Sequence, residues 1–220
     1  VWIKPLKFQI STFIYMLTLG YIITFYPYSK PKTKVVNGLV AWTLLFEMLI
    51  IPLQAARGVQ SHYNVGNPLD GILFGFMGIF IGINVLIMAL LLIDALRLKL
   101  KVARPIQIAI ILGWVVVLGG SWVGGQMISQ MAHNVGVPDG GNGLPILNWS
   151  TVAGDLRIAH FFGLHGLQII PLFAFFAAKK LRLSMTKEIA LVTAFASIYA
   201  SWIGFSYYQA SLGMPLIGTI

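Results

Sequence analysis

The sequence predicts an all-α fold, a polytopic transmembrane helix bundle of about six spans with both termini outside (N-out/C-out). Three observations carry this. Of 220 residues, 58% are hydrophobic and only 10% are charged, against roughly half and a quarter in soluble domains. Mean hydropathy is +0.84. Six stretches approach the ~20 apolar residues that cross a hydrocarbon core. Together they exclude a soluble globular domain, a disordered chain and a coiled coil. There is no cysteine, which removes disulfides, thiolate metal sites and cysteine nucleophiles.

The expected spans are 8–27, 37–56, 70–95, 105–125, 158–178 and 188–209, and the chain 1–220 reads as a single transmembrane domain. Each break has its own chemistry. YPYSKPKTK (26–34) holds two prolines and three lysines, and RGVQSHYNVGNP (57–68) holds turn formers without an apolar run. RLKLKVARP (97–105) and KKLRLSMTK (179–187) are short and basic. The last break, 126–157, is long and contains the turn cluster NVGVPDGGNGLP. It carries apolar Met127, Met131, Leu144, Ile146, Leu147 and Trp149, which are costly to expose, so it is expected to fold over the bundle as an extracytoplasmic lid. Its PDGGNG segment, with Asp139 and Asn142, lacks the EF-hand pattern and reads as a turn rather than a calcium loop. The chain opens on Val1, so a start segment can precede it.

Orientation follows from the basic residues. The loops after the first, third and fifth spans hold 11 Lys and Arg, and the other side holds 4, namely Lys4, Lys7, Arg57 and Arg157. This asymmetry places 27–36, 96–104 and 179–187 in the cytoplasm. It also accounts for most of the +9 net charge, so no nucleic-acid surface is expected. The partners expected are the lipid bilayer and other membrane protein subunits.

The rarer polar residues gather in the outer half: His62, His133, His160, His165, Arg57, Asp70, Asp139, Asp155 and Arg157. Glu47, Asn84 and Gln168 fall near mid-membrane. An ionisable group at that depth costs about 2.5–3.5 kcal/mol or more and faces the bundle interior. Glu47 has no charged partner at i±3 or i±4, so its relief is expected from another helix or from water. Its reading as interhelical glue stands beside proton carrier, metal ligand or partner to a histidine.

The fifth span is the most informative. Its entry offers Ser150 or Thr151 as caps and Asp155 at a helix N-terminus, where the dipole favours an anion. At about 100° per residue, Arg157, His160, Leu164, Gln168 and Pro171 share one face, and His165 sits at its edge. Gly163 and Gly166 leave room for a neighbouring helix or a flat ligand. Pro171 frees the carbonyl of Leu167. The second span supplies the expected opposite wall, with Glu47 and Gln54 on one face and Arg57 and His62 at the mouth. Glycines around Ser121 and Trp122, and the Gly75, Gly78, Gly82 seam, read as close packing. Trp2, Tyr63, Trp202, Tyr207 and Tyr208 read as interfacial aromatics.

LPILNWSTVAGDLRIAHFFGLHGLQIIP (144–171) and ARGVQSHYNVGNPLDGILFGFMG (56–78) resemble an uncharacterised family of bacterial multi-pass membrane proteins. The resemblance covers about a quarter of the chain. It implies a bacterial inner membrane, and no substrate, cofactor or catalytic residue. The sequence lacks HExxH and GxxxxGK[ST].

The function expected is an integral membrane protein with a buried polar site of His160, His165, Gln168, Arg157, Glu47, Gln54, Arg57 and His62, open to the extracytoplasmic face. Haem b or a quinone suits it, since a histidine can ligate iron, an arginine can hold propionates, and His, Gln and a carboxylate can serve a quinone and its protons. The alternative is a non-catalytic structural subunit of a larger membrane complex. Lesser alternatives are a transporter and a metalloenzyme, the latter weakened because His160 and His165 are five apart where zinc helices use i, i+4.

Overall fold

The computed structural model describes residues 2–141 and 143–218, and these form two compact units, Val1–Lys101 and Val102–Ile220. The first unit contains α1 (Ile3–Ile22), a 3-10 turn (Ile23–Phe25), α2 (Lys30–Ala56) and α3 (Pro68–Arg97). The second contains α4 (Arg104–Ser129), a two-stranded antiparallel pair β1 (Asn134–Val135) and β2 (Gly154–Asp155), then α5 (Leu156–Leu164), α6 (Gly166–Leu181) and α7 (Met185–Ser211).

Among the described residues five helices are long and apolar enough to cross a membrane, and a sixth span results if α5 and α6 count as one. The chain is therefore all-α and has the build of a multi-pass membrane protein. Its surface agrees with that. Trp42 and Ile198, at the centres of α2 and α7, are 73% and 71% exposed. Such side chains belong against hydrocarbon, not water.

Helix starts lie upstream of the expected ones where caps permit. Ser29 caps α2 by accepting from the Lys32 backbone N–H, and Pro31 stands in the first turn. Asn67 does the same for α3 with Pro68 at the first position. The lysines of 30–34 sit on the helix and not in a loop, because long basic side chains reach water from a helix end.

In the first unit α2 packs on both α1 and α3. Ile50, Ile51 and Met77 form a buried cluster with Phe8, Met48 and Leu73 against it. Polar stitches reinforce this. Asn84 donates to the Thr43 hydroxyl, which itself donates to the Leu39 carbonyl at 2.7 Å. The Tyr26 hydroxyl donates to the Leu91 carbonyl at 2.9 Å. Tyr28 and Lys32 both donate to Asp94, at 2.5 and 2.8 Å. Burial first, then this bond to Asp94, pushes the Tyr28 hydroxyl well above its usual range.

In the second unit α4 is the element on which α5, α6 and α7 converge. Ala109, Ile170, Ala174, Val192 and Ala196 make the buried core. The long segment after α4 folds back on the unit. β1 and β2 pair Asn134 with Asp155 and Val135 with Gly154. Trp149 rests on the rings of Phe161 and Phe162 at 5.8 and 6.0 Å. Gly154 lies so close to α7 that a Cβ there would meet the Ala210 carbonyl oxygen at 2.0 Å.

One element differs from expectation. The fifth span, expected as one helix over 158–178, is two helices bent by 48° with the break at His165. The cause is packing. Gly120 of α4 and Gly163 of α5 touch backbone to backbone, and Gly166 presses on the Val116 side chain. Gly163 and Gly166 stand on either side of the break, both against α4. Pro171 sits within α6 without ending it.

Candidate functional site

The eight residues expected to line a ligand divide evenly between the two units. In the first, Glu47, Gln54, Arg57 and His62 form two connected polar groups. Gln54 is almost wholly buried; its amide donates to Asp70 Oδ1 at 2.9 Å, and its oxygen accepts from Arg57 Nη1 at 2.5 Å. Arg57 Nη1 also meets Asp70 Oδ1 at 2.5 Å. Asn67 donates to the other Asp70 oxygen at 2.6 Å. Three side chains thus saturate one buried carboxylate and tie the end of α2 to the start of α3.

Glu47 meets His62 rather than a group of its own helix. His62 Nε2 is 3.9 Å from Glu47 Oε1, and Ser61 Oγ is 2.9 Å from His62 Nδ1. Within the first unit, the segment that follows α2 thus brings a histidine beside Glu47. The His62 ring lies among Phe8, Tyr63 and Phe74, at 5.4, 6.1 and 6.4 Å. These rings wall the imidazole. Tyr63, expected as an interfacial anchor, serves as one of these walls, with φ at 60°.

In the second unit Arg157 is committed to structure. Asp155 caps α5 by accepting from the Arg157 backbone N–H at 3.0 Å. The guanidinium returns to the same carboxylate at 2.6–3.2 Å and to the Asn148 carbonyl at 2.5 Å. Asp155 also accepts from the Ser150 N–H at 2.8 Å. Ser150 is not a helix cap; its hydroxyl accepts from the N–H groups of Val152 and Ala153.

His160, His165 and Gln168 lie around the break. His160 Nδ1 is 2.8 Å from the Gly120 carbonyl. A carbonyl only accepts, so Nδ1 carries the proton and Nε2 the lone pair. The ring lies on Gly124, where a Cβ would meet Cε1 at 2.8 Å. His165 stacks edge-on against Phe161 at 4.6 Å. Its carbonyl accepts from both Gln168 N–H and Ile169 N–H, at 3.1 and 3.0 Å. The Gln168 side-chain nitrogen and oxygen are both fully buried, and neither has a partner among the described residues.

Sequence reasoning missed Tyr199, whose hydroxyl donates to the Phe162 carbonyl at 2.6 Å. That carbonyl sits one turn before the break, where the helical pattern fails. No periodicity marks Tyr199 for this. Gly120 and Gly124 stood in the glycine-rich end of the fourth span, whose close packing was legible though the histidine lying on it was not.

Outside the spans, Asp139 accepts from the backbone N–H groups of His133 and Asn134 at 2.9–3.0 Å and lies 2.5 Å from His133 Nδ1. Burial tends to raise its carboxyl, but those two N–H groups and the His133 ring outweigh it and hold it below the usual range. Asp139 thus serves as a turn staple. Asn142 lies outside the described residues. In neither unit do three or more His, Asp or Glu among the described residues stand close enough to hold a metal ion.

The chain was compared with protein-family models, curated proteins and solved structures, and none matches. Function must accordingly be argued from the site itself.

Proposed function

We propose that this multi-pass membrane protein binds a small hydrogen-bonding ligand at the break of its bent span, and that the ligand is of quinone type. The observation that carries this is Gln168. A buried amide with both ends unmet costs about 1–3 kcal/mol. A ligand bringing one acceptor and one donor would recover that cost. A quinone carbonyl accepts, and a quinol hydroxyl donates, so the two redox forms between them answer both ends of the amide. His160, with its Nε2 lone pair, is a second acceptor for a quinol.

Haem fits less well. The fixed tautomer of His160 suits an iron ligand. Yet Arg57 and Arg157 are both occupied by carboxylates of this chain, which leaves neither to hold propionates. The same pairing favours the second reading, a non-catalytic subunit of a larger membrane complex, because half the expected site is satisfied internally.

The orientation is read as N-out/C-out in a bacterial inner membrane, from the basic loops and the sequence resemblance. The site then opens outward. A cysteine placed at Ser184 should resist a membrane-impermeant label in intact cells; labelling from outside reverses the orientation.

The test of function is extraction of the purified protein into organic solvent, with mass analysis of the extract and an absorption spectrum beforehand. Wild type should yield a quinone and Gln168→Leu should not, with helicity unchanged in both. A Soret band would move the reading to haem. A protein that yields no small molecule and becomes more stable as Gln168→Leu would overturn it, since the amide would then have been a cost alone.

A further inference from the structure

The basic end of the second unit holds a feature that the site above does not use. A groove of about 190 Å³ runs along the last turns of α6, lined by Phe173, Phe176, Ala177, Lys180 and Leu181. One wall is rigid, because Phe173 stacks on Phe195 of α7 with centroids 3.9 Å apart and planes at 7°. Small-molecule pockets measure roughly 300–1,000 Å³, so this groove takes part of a hydrocarbon chain rather than a whole ligand. At its end stand Lys179, Lys180, Arg182 and Lys187, against one acid, Glu188. Among the described residues none of these four cations enters an ion pair. Lys32 in the first unit, by contrast, is paired with Asp94. The N-cap Ser184 makes no side-chain bond to the first turn of α7, so backbone N–H groups there also favour an anion.

We infer that this corner is a binding site for an anionic phospholipid, its phosphate held by the 179–187 segment and one acyl chain lying in the α6 groove. The chemistry is complementary at both ends. The cations are uncompensated and sit where a headgroup would lie, at the end of a membrane-spanning helix. The groove is apolar and faces away from the unit's core, with Phe176 and Leu181 half exposed. A soluble anion would use the cations and leave the groove bare.

The site is tested on the full chain in a non-ionic detergent, with bound lipid counted by native mass spectrometry. The probes are phosphatidylglycerol and phosphatidylcholine with identical chains. Phosphatidylglycerol should bind at least tenfold more tightly. Each cation near an anionic headgroup contributes about fivefold, so Lys180→Gln with Arg182→Gln should weaken it by roughly 25-fold. Lys30→Gln with Lys34→Gln, at the basic end of the other unit, should leave it unchanged. Ala177→Phe fills the groove and should weaken both lipids; should that variant fail to fold, Leu181→Ser at the exposed lip gives the same reading. Equal retention of the two lipids, or equal losses from the two double variants, would overturn the site. So would displacement of phosphatidylglycerol by millimolar inorganic phosphate, which would show that the acyl chain contributes nothing.

Discussion

Gly120→Ala should be among the most damaging single-methyl changes in this chain. A Cβ at Gly120 would stand 2.7 Å from both the carbonyl carbon and the Cα of Gly163, and 2.8 Å from Leu164 N. All three are backbone atoms, so no side chain can swing aside. Ordinary contact begins at 3.4 Å, so α4 and α5 would have to part by about 0.7 Å. The Gly120 carbonyl holds His160 Nδ1 at 2.8 Å, and such a retreat carries that contact to the limit of hydrogen bonding. Overpacking costs about 1–3 kcal/mol and a lost hydrogen bond about 1 kcal/mol, which together give roughly 2–4 kcal/mol. Gly119→Ala and Gly125→Ala are the controls, since nothing lies within 4 Å of a Cβ at either. Each should be neutral or gain up to about 1 kcal/mol in helix propensity. Thermal unfolding of the three variants in one detergent, followed by helical circular dichroism, separates the cases. If Gly120→Ala melts with Gly119→Ala, the α4–α5 contact does not set the position of His160, and the account of the break fails with it.

Gly154→Ala should detach the loop from α7, because the clash with the Ala210 carbonyl at 2.0 Å is again with backbone; protease should then cut within 136–150 at least tenfold faster, and unchanged protection would refute the contact. The Asp139 staple sets a pH window: its folded carboxyl lies below its unfolded value of about 4, so its contribution is complete above that value and is lost as pH falls through the lower one. Loop protection should therefore hold at about pH 5 and fail only below about pH 4, and Asp139→Asn should abolish the dependence; failure beginning above pH 5 would assign it to another group. For Glu47 and His62, a double-mutant cycle with Glu47→Gln and His62→Gln should show a coupling of about 0.5–3 kcal/mol, and additive losses would mean that the 3.9 Å approach is spatial proximity without interaction.

The fold was legible because hydrophobicity decides it. Five of the six spans follow from apolar length alone, and α2 and α3 start earlier than expected where Ser29, Asn67 and the prolines after them allow it. The break in the fifth span was not legible. Proline can signal a kink through its own missing N–H, but Pro171 lies within α6 without ending it. The observed break lies where Gly163 meets Gly120 and Gly166 meets the Val116 side chain of α4, and glycine spacing does not announce what lies across from it. A helical wheel drawn through 157–171 extends one phase across a 48° bend. Its grouping of Arg157 and His160 with Gln168 thus joins residues that belong to separate helices.

The candidate site was legible in residue type but not in pairing, and the reason is electrostatic. Sequence shows which charges are scarce, and scarcity in a membrane segment signals function. It does not show pairing, and pairing decides whether a charge is available. Arg57 and Arg157 each stand within reach of one acid near a helix end. A buried carboxylate without a cation is the costlier of the two states, so Asp70 and Asp155, both almost fully buried, claim the arginines before any ligand can. On the proposed reading, what remains for a ligand is the group that no charge among the described residues answers. Gln168 is that group: neutral, placed beyond a helix break, and unmet at both ends of its amide among the described residues. A site built on it selects hydrogen-bond pattern over charge, which directs the search for its ligand to neutral carbonyl and hydroxyl compounds that partition into membranes.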